Sequence, residues 1–539
     1  MAKIFLRSLF IFLLTAGIVF ALDYDPNGRL VLSLGGEVSV MNPILSTDTA
    51  SSAIEGVIFS GLVKVDKNLD FVPDLAKSWK VSKSGLVWTF NLRKDVYWHD
   101  GRKFTADDVK FTFDTILNPK INSVRRGDYI IDGKPIKFRV IDKYTIKAIL
   151  PKPFSPFLAS AGMGILPKHL LEGNELDMAK FNSNPVGTGP FKFVEYKTGD
   201  HVLVRRNPDY YGGAPLLKEI LFKIIPDENT ALVALKSGEI DSTGIPAKDF
   251  HKIKGVSLFK YDALLYTYFG FNLKSPKFSD VRVRQALSYA VNRKQLIGLI
   301  FLGYASPAYA PSAPVSWAYS DDVYRYGYDP QKAKELLKEA GVRDLEFTVL
   351  VNHGNKDREK AATILQQQFK RVGVKMDIRV LEWSAMLKVI NARKDPKDFD
   401  AVIIGWSLGV DPDSYSIWHS SQYPGGLNFI GYDNTEVDRL LEAGRVEQSK
   451  SGRKKIYAKM YREITSDAPY IFLWYPQVLT GVRSRVGGLS EPGPAGLFLD
   501  IEKVYIKSSP LSPAFGGIHS PLHEMERGTA KQGGEENKL

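Results

Sequence analysis

The clearest alternation of apolar and polar positions lies in Val87–Leu92. Every second residue there is a large apolar side chain, which is the period of a strand with one buried face. A short apolar segment, Val96–Trp98, follows and stops at the turn pair Asp100-Gly101. The spacing then becomes helical behind a capping box formed by Thr105 and Asp108. The pattern therefore predicts a strand, a second short strand and a helix that begins directly after the cap.

The same two periods alternate along much of the chain. Residues 184–213 predict a hairpin, and residues 224–238 predict a strand leading into a helix that ends at a glycine. Ser279 and the pair Asp329-Pro330 are predicted N-terminal caps of two further helices. Residues 347–383 predict a strand, a helix and another strand, so the fold class is expected to be α/β.

The length and the two ends of the chain bound its organisation. A chain of 539 residues is too long for one core and predicts two or three lobes. Lys3 and Arg7 precede the apolar run Leu9–Phe20, which is typical of a signal peptide over residues 1–21. A retained anchor is the alternative, but the run is shorter than the ~20 residues that a spanning helix needs. Residues 508–539 have no apolar periodicity and are predicted to be disordered.

Composition narrows the class of protein further. The chain has no cysteine, which excludes disulfides, thiolate chemistry and attachment of a lipid through an N-terminal cysteine. The formal charge is +12, but the basic residues are scattered among acids and form no run with interleaved aromatics. Nucleic acid is therefore not an expected partner. A soluble periplasmic protein fits this composition best.

Several long segments together resemble one known family. The segment DLAKSWKVSKSGLVWTFNLRKDVYWHDGRKFTADDVKFTF at residues 74–113 closely resembles the signature region of the family 5 extracellular solute-binding proteins. These are the dipeptide, oligopeptide and nickel receptors of ABC importers. NPVGTGPFKFVEYKTGDHVLVRRNPDYYGG at residues 184–213 and FGFNLKSPKFSDVRVRQALSYAVNRKQLI at residues 269–297 continue the resemblance, which covers residues 30–507.

The resemblance implies a two-lobed periplasmic-binding-protein fold of type II with an extra subdomain inserted in the first lobe. Lobe I is then discontinuous and takes residues 22–59, 187–262 and 481–507. The inserted subdomain takes residues 60–186, and lobe II takes residues 263–480.

The segment Gly405–Gly409, GWSLG, matches the G-x-S-x-G pattern of a serine-hydrolase nucleophile elbow. That elbow needs a helix directly behind the serine. Here Gly409 is followed by the turn sequence Val-Asp-Pro-Asp, which contains a helix breaker. A hydrolase is therefore a minor alternative, and no catalytic residue is predicted.

The segment Phe399–Ser421 combines aromatic rings with carboxylates, as ligand sites in clefts do. Its candidate binding residues are Trp406, Asp411, Asp413, Tyr415 and Trp418. The alternative is that the tryptophans are core residues and that the acids only shape the turn. The resemblance favours a binding role for Trp406, because the family's peptide receptors place a ligand-stacking tryptophan there.

In those receptors an aspartate shortly after the tryptophan pairs with the amino terminus of the peptide. This sequence departs from that pattern, because the first acid after Trp406 is Asp411. The amine anchor is displaced or absent, and a buried ammonium without a partner would be costly. Two further candidate sets are Asp48 and Thr49 in the loop after the first strand, and Asn352 and His353 at the end of a lobe II strand.

The predicted function is a receptor that encloses a small solute between two lobes by hinge closure and delivers it to an ABC permease. A di- or oligopeptide is the predicted solute, and an oligosaccharide is the alternative. The expected partners are the solute and the transmembrane subunits of the permease, and the receptor is expected to act as a monomer. Only His519 and His523 stand close together among the histidines, so no metal site and no cofactor are predicted.

Overall fold

The computed structural model describes residues 24–121, 123–173 and 178–508. The predicted signal peptide and the predicted tail after Ser508 lie outside these residues, and both stay predictions. Within the described residues, no helix combines the length and the apolar character that a membrane crossing requires.

The strands carry most of the architecture. They are β1 (Arg29–Leu34), β2 (Val63–Val65), β3 (Phe71–Pro73), β4 (Ala76–Val81), β5 (Val87–Leu92), β6 (Ile130–Ile131), β7 (Lys134–Pro135), β8 (Lys137–Asp142), β9 (Thr145–Ile149), β10 (Phe191–Lys197), β11 (His201–Arg206), β12 (Glu219–Ile224), β13 (Ser242–Gly244), β14 (Val256–Asp262), β15 (Leu265–Phe271), β16 (Ala305–Pro307), β17 (Glu346–Asn352), β18 (Lys375–Leu381), β19 (Ala401–Ser407), β20 (Tyr470–Arg483), β21 (Val486–Gly487) and β22 (Tyr505–Ile506).

Helices cover the faces of the sheets. They are α1 (Thr49–Ile58), α2 (Ala106–Leu117), α3 (Phe157–Ser160), α4 (Lys168–Leu171), α5 (Met178–Ser183), α6 (Glu228–Ser237), α7 (Val281–Tyr289), α8 (Arg293–Phe301), α9 (Pro330–Glu339), α10 (Lys356–Lys370), α11 (Trp383–Ile390), α12 (Tyr415–Trp418), α13 (Thr435–Val446) and α14 (Lys450–Asp467).

One mixed sheet of twelve strands runs through the molecule, in the order β10-β11-β12-β1-β13-β20-β15-β19-β17-β18, with β14 and β16 also paired to β20. Strand β20 belongs to both halves of this sheet. Its residues 470–476 pair with β15 and β16, and its residues 477–483 pair with β13 and β14. We call the half that contains β1 lobe I and the half that contains β17 lobe II.

Residues 60–186, which we call the insert, carry a separate antiparallel sheet in the order β4-β5-β9-β8. Helix α2 packs on this sheet, where the rings of Phe113 and Phe138 stack with their centroids 4.2 Å apart. The buried side chains of the insert and of much of lobe I form one continuous apolar cluster, whereas lobe II has clusters of its own. Because interiors are close-packed and stiff, we expect the insert to move with lobe I.

Most of the local predictions from sequence are confirmed, since β5 and α2 lie where expected and Thr105 and Asp108 form the predicted capping box. Two are wrong in detail. The segment Val96–Trp98 makes only one isolated bridge, between Tyr97 and Lys103. Helix α7 is capped by Asp280 and not by Ser279, because the Asp280 carboxylate accepts the backbone N–H of Arg282 at 2.8 Å.

Candidate functional site

The parallel strands of lobe II end together at one edge of the sheet. Strand β17 is parallel to both β18 and β19, so Asn352, Leu381 and Ser407 all lie at this edge. Ligands of open α/β sheets bind at the carboxyl ends of their strands. This edge is therefore the candidate ligand site of lobe II.

Trp406, the penultimate residue of β19, presents an aromatic wall at this edge. Its ring is half-buried and lies nearly parallel to that of Tyr268, with the centroids 6.3 Å apart. The ring of Phe429 lies 5.8 Å away on a tilted plane. Neighbouring rings hold the indole in one orientation, as a platform for stacking requires.

Arg358, in the first turns of α10, is a further candidate site residue that the sequence analysis missed. Its Nη1 donates a hydrogen bond to Oδ1 of Asn352 at 2.9 Å. A Cβ atom placed on Gly405 would lie 3.1 Å from its Nη2, so the guanidinium lies against β19 next to Trp406. Burial lowers the pKa of Arg358, with the neighbouring Tyr268 and Asp357 opposing. In the described part of the chain, no carboxylate forms an ion pair with Arg358.

Asp411 is not a free carboxylate. Arg453 of α14 binds it with both terminal nitrogens, at 2.6 and 2.7 Å, and the backbone N–H of Asp413 donates to its Oδ1 at 2.9 Å. The side chains of Arg453 and Asp411 are only 7% and 10% exposed. The structure therefore places Asp411 in a saturated, nearly buried ion pair.

Asp413 is paired in a similar way with Arg445, whose Nε donates to its Oδ2 at 2.8 Å. Burial raises the pKa of Asp413, with the positive charge of Arg445 opposing and the negative charge of Asp411 adding to the rise. The guanidinium of Arg445 also lies 3.7 Å from the ring centroid of Tyr415, which stacks on His419. Tyr415 is half-buried and holds this arginine in place.

Trp418 lies in the core of lobe II and not on a cleft surface. It is completely buried, with the rings of Tyr470 and Tyr432 at 4.7 and 5.5 Å. In this structure its ring supports the wall behind Trp406 and offers no face to a ligand.

The remaining residues predicted from the sequence, His353, Asp48 and Thr49, differ in how accessible they are. His353 is exposed, with its side chain 62% accessible and Nδ1 3.3 Å from Glu382. Asp48 caps α1 by accepting the backbone N–H of Ser51 at 2.7 Å. Burial acts to raise the pKa of Asp48, but the hydrogen bonds from Ser39 and Ser51 outweigh it and hold the pKa below its ordinary value. Thr49 is exposed at the start of the same helix.

A buried carboxylate that the sequence analysis also missed, Glu55, lies behind this loop of lobe I. Oε2 of Glu55 accepts a hydrogen bond from Ser46 Oγ at 2.8 Å, and Oε1 is buried with no hydrogen-bond partner in the described residues. Arg125 of the insert donates to the backbone oxygen of Ser46 at 3.3 Å. Burial raises the pKa of Glu55 to about 7, with the Ser46 hydrogen bond and the charge of Arg125 opposing.

We expect Glu55→Gln to flatten the dependence of stability on pH. The pKa of Glu55 in the folded protein lies above the ordinary value of 4.5, so the folded protein binds more protons than the unfolded chain in this range. The wild type therefore loses stability as the pH rises from 4.5 to about 7. The free energy of unfolding of the variant relative to wild type should increase by on the order of 3 kcal/mol between pH 4 and pH 8. Urea denaturation at several pH values measures this, with the exposed Glu335→Gln as control. Parallel curves for Glu55→Gln and wild type would contradict the prediction.

The insert contacts lobe II directly. The backbone N–H of Ser155 donates to the carbonyl of Arg445 at 2.8 Å, and its hydroxyl donates to the carbonyl of Glu447 at 2.5 Å. Asp70 forms an ion pair with Lys450 at 3.0 Å. Lobe II thus contacts the body formed by lobe I and the insert, as a closed cleft requires.

The GWSLG segment does not build a nucleophile elbow. Ser407 is the exposed last residue of β19, and residues 408–414 form no helix before the short α12. The helix that would follow an elbow directly is therefore missing. Among the described residues, no group of three or more histidine and carboxylate side chains could hold a metal ion.

Comparison with known proteins supplies the family. The family model of the bacterial extracellular solute-binding proteins, family 5, matches residues 70–427. The oligopeptide-binding protein AppA of Bacillus subtilis is 36% identical over 477 residues, which cover 83% of this chain and 86% of that protein.

Two solved structures share the fold. The structure of B. subtilis AppA in complex with a nonapeptide has a TM-score of 0.80 at 34% identity, and the alignment covers 89% of this chain and 99% of that one. The ABC transporter substrate-binding protein CtaP of Listeria monocytogenes has a TM-score of 0.82 at 34% identity, with 89% and 100% covered. The predicted two-lobed α/β fold is thereby confirmed, and the chain belongs to family 5 of the bacterial extracellular solute-binding proteins.

Proposed function

We propose that this protein is the exported receptor of an ABC importer, that it encloses peptides between its lobes without catalysis, and that it delivers them to a membrane permease. The similarity to AppA, whose structure was solved with a nonapeptide, supports a peptide as the solute. The same similarity supports delivery to a permease and a location outside the cytoplasmic membrane.

The observation that carries the proposal is the guanidinium of Arg358 at the carboxyl edge of lobe II. It lies beside the Trp406 platform, is partly desolvated and has no carboxylate partner among the described residues. A cation held in this way is a receptor for an anionic group, and the guanidinium fork matches a carboxylate. A peptide provides such a group at its carboxyl terminus or on an acidic side chain.

Because the amine anchor is displaced or absent in this chain, we expect the affinity for peptides not to depend on one acid–ammonium pair. Asp411 and Asp413 are both engaged by arginines of lobe II, so neither offers a free carboxylate to the amino terminus of a peptide. Binding would then rest on the Trp406 platform, the Arg358 charge and hydrogen bonds to the peptide backbone. Such contacts are largely independent of peptide sequence, so we expect peptides of varied composition to bind.

Arg358→Gln should weaken binding of a peptide with a free carboxyl terminus by roughly 10- to 150-fold, which corresponds to about 1.5–3 kcal/mol for a hydrogen bond to a charged group. Native mass spectrometry of the purified protein identifies a carried peptide, and calorimetric titration with synthetic copies measures its affinity. Amidation of the carboxyl terminus should remove most of the difference between variant and wild type. Arg371→Gln, at the exposed far end of the same helix, is the matched control.

The titration also separates the peptide from the oligosaccharide alternative. A neutral oligosaccharide has no carboxylate to pair with Arg358, so Arg358→Gln would have little effect. Trp406→Ala would then weaken binding by about 1–3 kcal/mol through lost stacking. An Arg358→Gln variant that binds free and amidated peptides as wild type does would contradict the role of this arginine.

A further inference from the structure

The antiparallel sheet of the insert, β4-β5-β9-β8, has one face against α2 and another that points away from it. Successive side chains of a strand point to opposite faces of the sheet. The positions on the side of α2 are buried and apolar, such as Phe90 of β5, Ile146 of β9 and Phe138 of β8. The positions between them on these three strands are exposed or half-buried. The outer face of the sheet is therefore a surface of the molecule.

The register of the sheet brings three cations into one row across this outer face. Lys80 of β4 lies opposite Thr89 of β5. On the other side of Thr89 lies Lys147 of β9, which in turn lies opposite Arg139 of β8. Neighbouring strands are about 4.8 Å apart, so the row is roughly 14 Å long. Lys137 lies on the same face, two positions before Arg139 on the edge strand, and we call these four basic residues together the basic face.

The charge of the basic face is not compensated within the part of the chain that the structure describes, where none of its four side chains forms an ion pair. Like charges at directly opposite positions of neighbouring strands destabilise a sheet, and Arg139 and Lys147 are such a pair. Residues 60–186 contain seven more basic than acidic residues, out of an excess of twelve in the entire chain. The positive charge is therefore concentrated on the insert, and an anionic partner would relieve the repulsion on this face.

The shape and composition of the basic face restrict the kind of anionic partner. The face is open and has no walls, so it does not enclose a small anion. No aromatic ring occupies an outward position of β5, β8 or β9, so the face offers no platform on which the bases of a nucleic acid could stack. Ile141, two positions after Arg139, is 48% exposed and places an apolar side chain beside the cations. Basic side chains next to an apolar one suit the surface of a bilayer with anionic headgroups.

We propose that the basic face of the insert docks this protein on the anionic headgroups of a lipid bilayer. Each lysine or arginine near such a surface strengthens binding by about fivefold, so four of them make a weak contact that is easily reversed. The insert shares an apolar cluster with lobe I, so the contact holds these two parts at the bilayer and does not involve lobe II. The inference does not depend on the identity of the solute. For an exported receptor, the contact keeps the protein close to the membrane that contains its permease.

The test is sedimentation of the full protein with vesicles of phosphatidylcholine that contain either no phosphatidylglycerol or about 30% of it. Wild type should bind the anionic vesicles at least tenfold more tightly than the neutral ones, and added salt should remove the difference because it screens the charges. The triple variant Lys80→Gln, Arg139→Gln and Lys147→Gln should lose at least tenfold in affinity for the anionic vesicles. Its melting temperature should not fall, since the changes relieve a like-charge contact. If it does fall, the double variant Lys80→Gln and Arg139→Gln, at two exposed positions, takes its place and should lose at least fivefold.

The matched control is the triple variant Lys334→Gln, Lys338→Gln and Arg371→Gln on lobe II. It also removes two lysines and one arginine, all of them exposed and without an ion pair in the described residues. The control should lose less than about threefold in affinity. Equal losses in the two triple variants would mean that net charge and not this face determines binding, and would overturn the proposal. Equal binding of wild type to both kinds of vesicle would also overturn it. Tighter binding of soluble polyglutamate than of anionic vesicles, abolished in the first triple variant, would overturn it as well, because the partner would then be an acidic protein.

Discussion

Replacing Arg453 with methionine is expected to lower the free energy of unfolding by about 3–5 kcal/mol, because it leaves the Asp411 carboxylate almost buried without its cation. Both side chains are nearly inaccessible, and the two hydrogen bonds that Arg453 donates to Asp411 would be lost together. Urea denaturation followed by tryptophan fluorescence measures the change. The double variant Arg453→Met with Asp411→Asn should recover a large part of the loss, since no buried charge then remains unpaired.

The matched control is Arg439→Met, which breaks an exposed ion pair with Glu436 on the surface of α13. That pair has the same short nitrogen–oxygen distance, 2.6 Å, but its side chains are 63% and 48% exposed. The control substitution should lower the free energy of unfolding by less than about 1 kcal/mol. Equal effects of the two substitutions would mean that the Asp411–Arg453 pair is solvated in solution, and Asp411 would again be a candidate ligand anchor.

Trp418→Ala is expected to destabilise the fold by about 3–5 kcal/mol, the cost of removing a fully buried large side chain. Trp383→Ala, on an exposed ring of α11, should change the free energy of unfolding by less than about 0.5 kcal/mol. Trp406→Ala should fall between them because the ring is half-buried. Denaturant unfolding of the three variants measures the order of their free energies of unfolding, provided that the dependence on denaturant concentration has the same slope in each.

A small effect of Trp418→Ala together with weaker ligand binding would contradict the core position of this residue. In that case its ring would face the ligand, as the sequence pattern allowed. A large loss of stability would leave Trp406 as the tryptophan of this segment that can stack on a ligand.

Local sequence patterns are sufficient to predict some features of this structure and fail for others. The capping box of α2 and the period of β5 could be predicted because they depend on residues within a few positions of one another. The state of Asp411 could not be predicted, because its partner Arg453 is 42 residues further along the chain on another helix. The local sequence around an aspartate in a turn is the same whether its partner is a distant arginine or the ammonium of a ligand.

Trp406 and Trp418 show the same limit for aromatic residues. They lie twelve positions apart in one segment and have equal apolar character. The difference in their exposure arises from the rings of Tyr470 and Tyr432, which lobe II brings over Trp418 from other parts of the chain. Arg358 was missed for a related reason, since arginine in the first turns of a helix is ordinary until tertiary structure places β19 beside it.

Strand β20 also determines the order in which the parts of this chain can be completed as the chain becomes available from its N-terminus. The sheet of the insert is closed within residues 76–149, so it can form as soon as that segment is free to fold. Lobe I cannot be completed until the C-terminal residues are available, because β13 pairs with residues 480–482 and the shared core includes Val504 and Ile506. Strand β1, among the first to be made, therefore lies in a sheet that is completed only when nearly the whole chain exists. The first lobe in sequence is the last to be finished, and its unpaired strand edges are the part of the nascent chain most in need of protection.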